Sequence, residues 1–184
     1  KSMVDLPDNV RIYHSEISVG PYVIRNSLIS KTKYENLLFF DADDIMMPHL
    51  ISSVLSYYSS ESPIRFKYLN FTDPLKYKTK NEPFKRVADG VFFINKKIME
   101  RVGGFQGWLC GADTEFIKRC ELNGIKDIAM REYLFYRRLH RGSLTQKSST
   151  NHRSAIRKKI KLLIKRTRNW SIPIEGKIIK LKGI

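Results

Sequence analysis

The chain has 184 residues and a net charge of +16, with 42% hydrophobic and 11% aromatic residues, the composition of a soluble globular protein with one core and an appendage. No apolar run approaches the roughly 20 residues a membrane-spanning helix needs, and Lys1-Ser2-Met3-Val4-Asp5 leads into no signal-peptide core. The two cysteines, Cys110 and Cys120, make neither a metal-type nor a redox pair, which argues against a disulfide scaffold and for free thiols in the reducing cytoplasm.

In chain order, Val10-Arg11-Ile12-Tyr13 reads as a short strand and Ser15 to Gly20 as a loop. Pro21 suits the first turn of a helix, whose apolar residues Tyr22, Val23, Ile24, Leu28 and Ile29 are helically spaced. Leu37-Leu38-Phe39-Phe40 is predicted as a central strand buried on both faces. It runs directly into Asp41, Asp43 and Asp44. Like charges this close repel and are costly to desolvate, so a cation is expected beside them. Hard oxygen donors at the carboxyl end of a strand suit Mg2+ or Mn2+, and that end of an open α/β sheet is where ligands bind. An acidic turn capping the next helix accounts for the octamer equally well.

Pro48 opens a second helix with Leu50, Ile51, Val54, Leu55 and Tyr58 along one stripe, and Arg65 to Phe71 alternates as a strand does. Asp73 to Pro83 is polar and Lys-rich, the composition of a lid or acceptor loop. Gly90 to Ile94 is a further apolar strand. Lys96 to Val102 is a short helix stopped by Gly103-Gly104, and Asp113 to Leu122 is a helix with Phe116, Ile117 and Cys120 inward. Ile125 to Met130 and Tyr133 to Tyr136 read as two strands. Strands alternating with helices give an α/β fold.

The chain divides into a body, residues 1–150, and a basic amphipathic tail, residues 151–184. The tail carries eleven Lys or Arg residues against the single acid Glu175, and so ten of the sixteen net charges. Ile156, Ile160, Leu163 and Ile164 fall on one helical stripe, with Lys or Arg at most other positions between Arg153 and Arg168. Asn169-Trp170-Ser171-Ile172-Pro173 closes this helix with an interfacial type of Trp. Two readings stand side by side: a helix at an anionic membrane surface through residues 153–168, or one that docks its stripe on the body and leaves its charges in water. Nucleic acid is disfavoured, because aromatic residues for base stacking are not interleaved with the charge.

Four patches occur in order: Gly20-Pro21-Tyr22-Val23-Ile24-Arg25-Asn26, Leu38 to Asp44, Gly103-Gly104-Phe105 through Trp108 to Phe116, and Tyr136-Arg137-Arg138-Leu139-His140-Arg141-Gly142-Ser143-Leu144. Together, over Val10 to Thr145, they resemble the family 2 glycosyltransferases of the GT-A fold, whose domain is a Rossmann-type mixed sheet. The resemblance implies a nucleotide-sugar donor, usually a UDP-sugar, and a polysaccharide, lipid-linked or protein acceptor. It implies that Asp41 and Asp43 hold Mn2+ or Mg2+ against the diphosphate, with His140 as a further ligand, and that Gly20, Arg25 and Asn26 lie near the nucleotide. By the same resemblance Asp113 is the general base, and Trp108 and Glu115 stand on the acceptor side. Relatives usually carry Glu where this chain has Ala112, which bears on acceptor contacts.

Each of these residues also has a plainer reading. Asp113 suits a helix start through the macrodipole, His140 and Arg25 suit a charged surface, and Trp108 suits the core. The strand, nucleotide-gripping turn and helix with which family members begin are not matched; Val10–Tyr13 aligns with a strand well inside the usual domain, as expected of a clipped piece. The resemblance implies an inverting, metal-assisted sugar transfer, with the tail holding the protein peripherally at the inner face of a membrane. A nucleotidyltransferase of similar sheet and an inactive binding module working through its tail are the rivals.

Overall fold

The computed structural model describes residues 7–72, 76–77, 87–166 and 182–183. In order these form β1 (Tyr13–His14), α1 (Pro21–Lys31), β2 (Asn36–Phe39), β3 (Ile45–Met46), α2 (Leu50–Ser56), β4 (Ile64–Thr72), β5 (Lys76–Tyr77), β6 (Phe92–Asn95), α3 (Lys96–Val102), α4 (Ala112–Leu122), β7 (Ile128–Arg138), α5 (Ala155–Arg166) and β8 (Lys182–Gly183). Six strands make one mixed sheet in the order β2-β6-β4-β7-β3, with β5 on the end of β4. Only β4 and β7 run parallel; the other pairs are antiparallel.

The alternation of strand side chains separates two cores. Phe92 and Ile94 of β6 point to one face, where Tyr22 of α1, Ile98, Met99 and Val102 of α3, and Phe116 and Cys120 of α4 pack with Phe39 and Phe105. Phe93 points to the other face and joins Leu50 and Val54 of α2, Ile64, Phe66, Leu134 and Phe135. Helices on both faces of a sheet make the three-layer arrangement of α/β proteins. Phe39, Phe92, Phe105 and Phe116 meet ring to ring at 5.0–6.2 Å, and Phe92 and Phe116 stack within 14° of parallel. Such contacts lock α4 onto the sheet end from which β2 leaves.

Several elements differ from expectation. β2 lies at the end of the described sheet and pairs with β6 alone, so Leu37 and Leu38 are half-buried and only Phe39 is fully covered. A run of four apolar residues therefore marks a strand without saying how many neighbours it has. The first strand is Tyr13–His14 rather than Val10–Tyr13; it pairs with β8, and Val10 and Ile12 stay exposed. The two strands expected around Arg131-Glu132 are one, β7, whose register against β4 slips between Arg65 and Tyr68 to absorb the extra residues. The Asp73–Pro83 loop falls outside the described residues apart from β5, as does the Trp170 turn.

The tail helix α5 seats only part of its stripe on the body, and Leu163 and its neighbour Leu162 stay 40% and 52% exposed. Ile160 is 7% exposed, Ile156 and Ile164 are half-buried, and Lys158, Lys159, Lys161 and Lys165 face water. Among the described residues no helix is long and apolar enough to cross a membrane.

Candidate active site

An open cleft of about 420 Å3 lies where β2 ends and α1 begins. Its walls include Gly20, Pro21, Ile24, Arg25, Phe40, Asp41 and Ala42. Gly20 is the N-cap of α1 at φ +83°, a conformation an L side chain rarely adopts, and no side chain caps the helix. The uncapped first turn leaves backbone N–H groups and the positive end of the helix dipole at the cleft. Leu109 and the Trp108 carbonyl close over Gly20 from the other side: a Cβ there would lie 3.4 Å from Leu109 Cδ2.

Arg25 joins the two sides of the site. Its Nη2 donates to Asp41 Oδ1 at 2.6 Å and its Nη1 to the Gly90 carbonyl at 2.8 Å. Gly90 in turn abuts the start of α4, where a Cβ would come within 2.9 Å of Asp113 Oδ2. Asp41 and Asp113, 72 positions apart in the sequence, thus flank one arginine and one glycine. Tyr22, one turn before Arg25 on α1, hydrogen-bonds Asp113 through its hydroxyl; burial, then the Asp113 charge, holds that hydroxyl well above the ordinary phenol range. Thr114 Oγ1 donates to Asp89 at 2.9 Å, and Asp89, pushed up by burial, is also paired with Arg65.

The other two aspartates of the strand-end cluster point elsewhere. Asp43 Oδ2 lies 2.9 Å from His140 Nε2, with both side chains a little over 40% exposed. Asp44 accepts from the Arg138 N–H at 3.0 Å. Burial first, and then the charges of Asp41 and Asp43, push the Asp44 carboxyl up to about 7, against the pull of the Arg138 N–H and the Arg137 cation. The cluster is thus spread over three partners.

Asn26 and Glu115 are both buried. Asn26 Nδ2 donates to the Phe105 carbonyl at 2.8 Å and its Oδ1 accepts from the Phe105 N–H at 2.9 Å, so the side chain ties α1 to the Gly103-Gly104-Phe105 turn. Gly104 passes so close that a Cβ would be 2.8 Å from Asn26 Oδ1. Glu115 sits two residues after Asp113, about 200° round the helix, and pairs with Arg119 through Nε–Oε1 at 2.7 Å and Nη2–Oε2 at 3.0 Å. Arg119 also donates to the Val102 and Gly104 carbonyls. The pair therefore anchors α4 to the end of α3. Trp108 is half-buried against the first core.

A family model described as glycosyl transferase family 2 matches residues 1–116. The chain belongs to this family. None of the curated proteins compared with it gives a match. The curled mixed sheet, with five helices among the described residues, is that of a GT-A, Rossmann-like domain. Membership makes this a glycosyltransferase domain, which in general uses a nucleotide-sugar donor and an acceptor. The matched segment holds Gly20, Arg25, Asn26, Asp41, Asp43, Trp108, Asp113 and Glu115; His140 and α5 lie beyond it.

Family 2 enzymes often use a divalent metal ion. Among the described residues no three His, Cys, Asp or Glu side chains converge as a ready-made cage. Two donors each about 2.1 Å from one octahedral ion lie about 3 Å apart, and Asp43 Oδ2 with His140 Nε2 has that separation. Asp43 and His140 thus carry donor atoms of the right kind, at present hydrogen-bonded to each other.

Sequence reasoning did not find Tyr22, Gly90 or Asp89. Tyr22 had a signal: it stands three residues before Arg25 on the helix opened by Gly20-Pro21, so the two side chains share a face. Gly90 had a weaker one, a Gly directly before an apolar strand, where close backbone approach is common.

Proposed function

We propose that this domain is an inverting glycosyltransferase that moves a sugar from a nucleotide diphosphate-sugar, of the UDP type usual in the family, to a hydroxyl of a polysaccharide, lipid-linked or protein acceptor. The observation that carries the reading is the arrangement of Asp41 and Asp113 about Arg25 and Gly90, with Arg25 and Asp41 lining the cleft. The donor diphosphate suits the uncapped N-terminus of α1 at Gly20, with Arg25 beside it as a charge-assisted donor. Asp43 and His140 are the residues to hold Mn2+ or Mg2+, with Asp41 adjacent. When bound, such an ion offsets the charge that develops on the leaving diphosphate.

Asp113 stands across from Asp41 and is held in place by the Tyr22 hydroxyl. As general base it takes the proton of the acceptor hydroxyl while that oxygen bonds to the anomeric carbon. The anomeric carbon–oxygen bond to the diphosphate breaks, and the nucleoside diphosphate departs with both electrons of that bond. A single base opposite the leaving group gives inversion, and its contribution is about 100- to 10,000-fold in rate. Asn26 and Glu115 act as positioning residues, the first fixing the turn before Trp108 and the second fixing α4. Trp108, through its exposed edge, is the acceptor-side aromatic wall.

The test is to replace Asp43 and Asp113 separately by Asn and follow nucleoside diphosphate release from a set of nucleotide-sugars with Mn2+ present. Loss in both supports the reading. Unimpaired transfer in both ends it, and release of pyrophosphate instead assigns a nucleotidyl transfer.

A further inference from the structure

Sugar transfer as proposed above uses no residue of α5. From Ala155 to Arg166 this helix carries six Lys or Arg residues and no acid. One side of it rests on the body. Ile160 is buried, Ile156, Arg157 and Ile164 are half-buried, and Arg157 Nε donates to the Thr150 carbonyl. The seat is close: a Cβ on Gly111, the N-cap of α4, would lie 3.2 Å from Ile160 Cγ2.

The other side faces water. Leu162 follows Ile160 by two residues, about 200° round the helix, and so points away from the seat. It is 52% exposed. Lys158, Lys159 and Lys165 fall within about 60° of it, and all three are exposed, as is Ala155. Leu163, 40% exposed, widens the apolar strip on the Lys159 side. Among the described residues none of these lysines forms an ion pair. The outward face is therefore a pair of leucines set among unneutralised lysines.

Charge alone attracts any polyanion. A single-stranded nucleic acid also asks for aromatic rings to stack on, and Ala155–Arg166 contains none. A bilayer with anionic headgroups meets both parts of the face. Its phosphates pair with the ammonium groups, and the leucines enter the boundary between headgroups and acyl chains. The lysine stems lie along the apolar layer while their charged ends reach back to the phosphates.

We propose that the outward face of α5, made by Lys158, Lys159, Leu162, Leu163 and Lys165, docks the domain on an anionic lipid bilayer. The helix lies along the surface, between the lipid and the body. Because Ile160 rests on the N-cap of α4, docking holds the Asp113 end of that helix about one helix diameter, roughly 10 Å, from the lipid. Binding to lipid does not depend on the glycosyltransferase reading and is measured without any transfer.

The experiment uses the whole chain. Cys110 and Cys120 are both buried, so an environment-sensitive, thiol-reactive fluorophore labels Leu162→Cys selectively. Vesicles of phosphatidylcholine and phosphatidylglycerol in equal parts should brighten and blue-shift its emission, and vesicles of phosphatidylcholine alone should not. The same label on Ile51→Cys, at an exposed position of α2, should stay unchanged. In co-sedimentation with the mixed vesicles, Leu162→Ala should weaken binding by roughly threefold or more, and Lys158→Gln, Lys159→Gln and Lys165→Gln combined by roughly tenfold or more. Leu55→Ala and Lys33→Gln, an exposed leucine and an exposed lysine elsewhere, should bind as the parent does. Circular dichroism checks that each variant is folded. An unmoved label at position 162, an equal response to phosphatidylcholine alone, or binding that Leu162→Ala leaves intact overturns the docking face. A single-stranded oligonucleotide that moves the label when the mixed vesicles do not assigns the lysines to nucleic acid and overturns it as well.

Discussion

The α4 helix offers a controlled comparison of two ion pairs of nearly equal length. Glu115–Arg119 closes at 2.7 Å with side chains 2% and 0% exposed, whereas Glu121–Lys118 closes at 2.6 Å with side chains 62% and 44% exposed. Coulomb attraction at a fixed distance would make them equal; burial does not. Glu115→Ala leaves the Arg119 guanidinium inside the protein with only the Val102 and Gly104 carbonyls. Removing one partner of a buried pair costs about 3–5 kcal/mol, a large share of a total stability of about 5–15 kcal/mol. Glu121→Ala should cost less than about 1 kcal/mol. Urea unfolding followed by circular dichroism gives both values, and in a domain of this size the first should lower Tm by roughly 6–20 °C. A loss below about 1 kcal/mol for Glu115→Ala, or equal losses for the two variants, would refute the claim that this pair anchors the helix bearing Asp113. Glu115→Gln should fall between, since it keeps an acceptor for Arg119 and loses the charge.

Tyr22→Phe removes a hydrogen bond to a carboxylate and should lower kcat/KM for sugar transfer by roughly 10- to 100-fold with the fold intact; equal rates would release Tyr22 from its role at Asp113. Asn26→Ala leaves the buried Phe105 N–H and carbonyl without that partner and should destabilise the domain by about 1–3 kcal/mol in the same urea assay. Gly111→Ala places a Cβ against Ile160 at a left-handed φ of +77°, which costs about 1–2 kcal/mol for the backbone alone, and Ile160→Ala should soften that penalty in a double-mutant cycle. Asp44 supplies a pH test. Its folded carboxyl, raised to about 7 from 3.8, keeps a proton that the unfolded chain has released. Its contribution to stability is therefore full below about 4 and is lost as pH rises through about 7. Asp44→Asn should flatten the urea midpoint over that range in metal-free buffer, and an unchanged slope would refute the assignment.

Much of the site was legible because its parts are local and punctuated. Gly20-Pro21 announces a helix start, and Gly103-Gly104 a helix end. A strand running into Asp41, Asp43 and Asp44 announces charge at a sheet edge. What was not legible depends on contacts between distant segments. Nothing near Asn26 in the chain says that its amide reaches Phe105, 79 positions away. Glu115 reads from sequence as a site acid, because the 200° between it and Asp113 matters only once the inner face of α4 is known. β2 read as a central strand because four apolar residues report burial and not neighbours. For α5 the sequence left two occupants for one stripe; Ile160 sits on Gly111 while Leu162 and Leu163 stay exposed.

The bond pair between Asn26 and Phe105 has a consequence for engineering the loop at Trp108. The turn that carries Trp108 takes its height and tilt from an amide rooted on α1, 79 positions away in the chain. A loop transplanted from another family member would arrive without that reference point unless the recipient helix offered an equivalent hook. Specificity swaps in this scaffold should therefore be made as matched halves, helix and loop together, rather than as surface grafts.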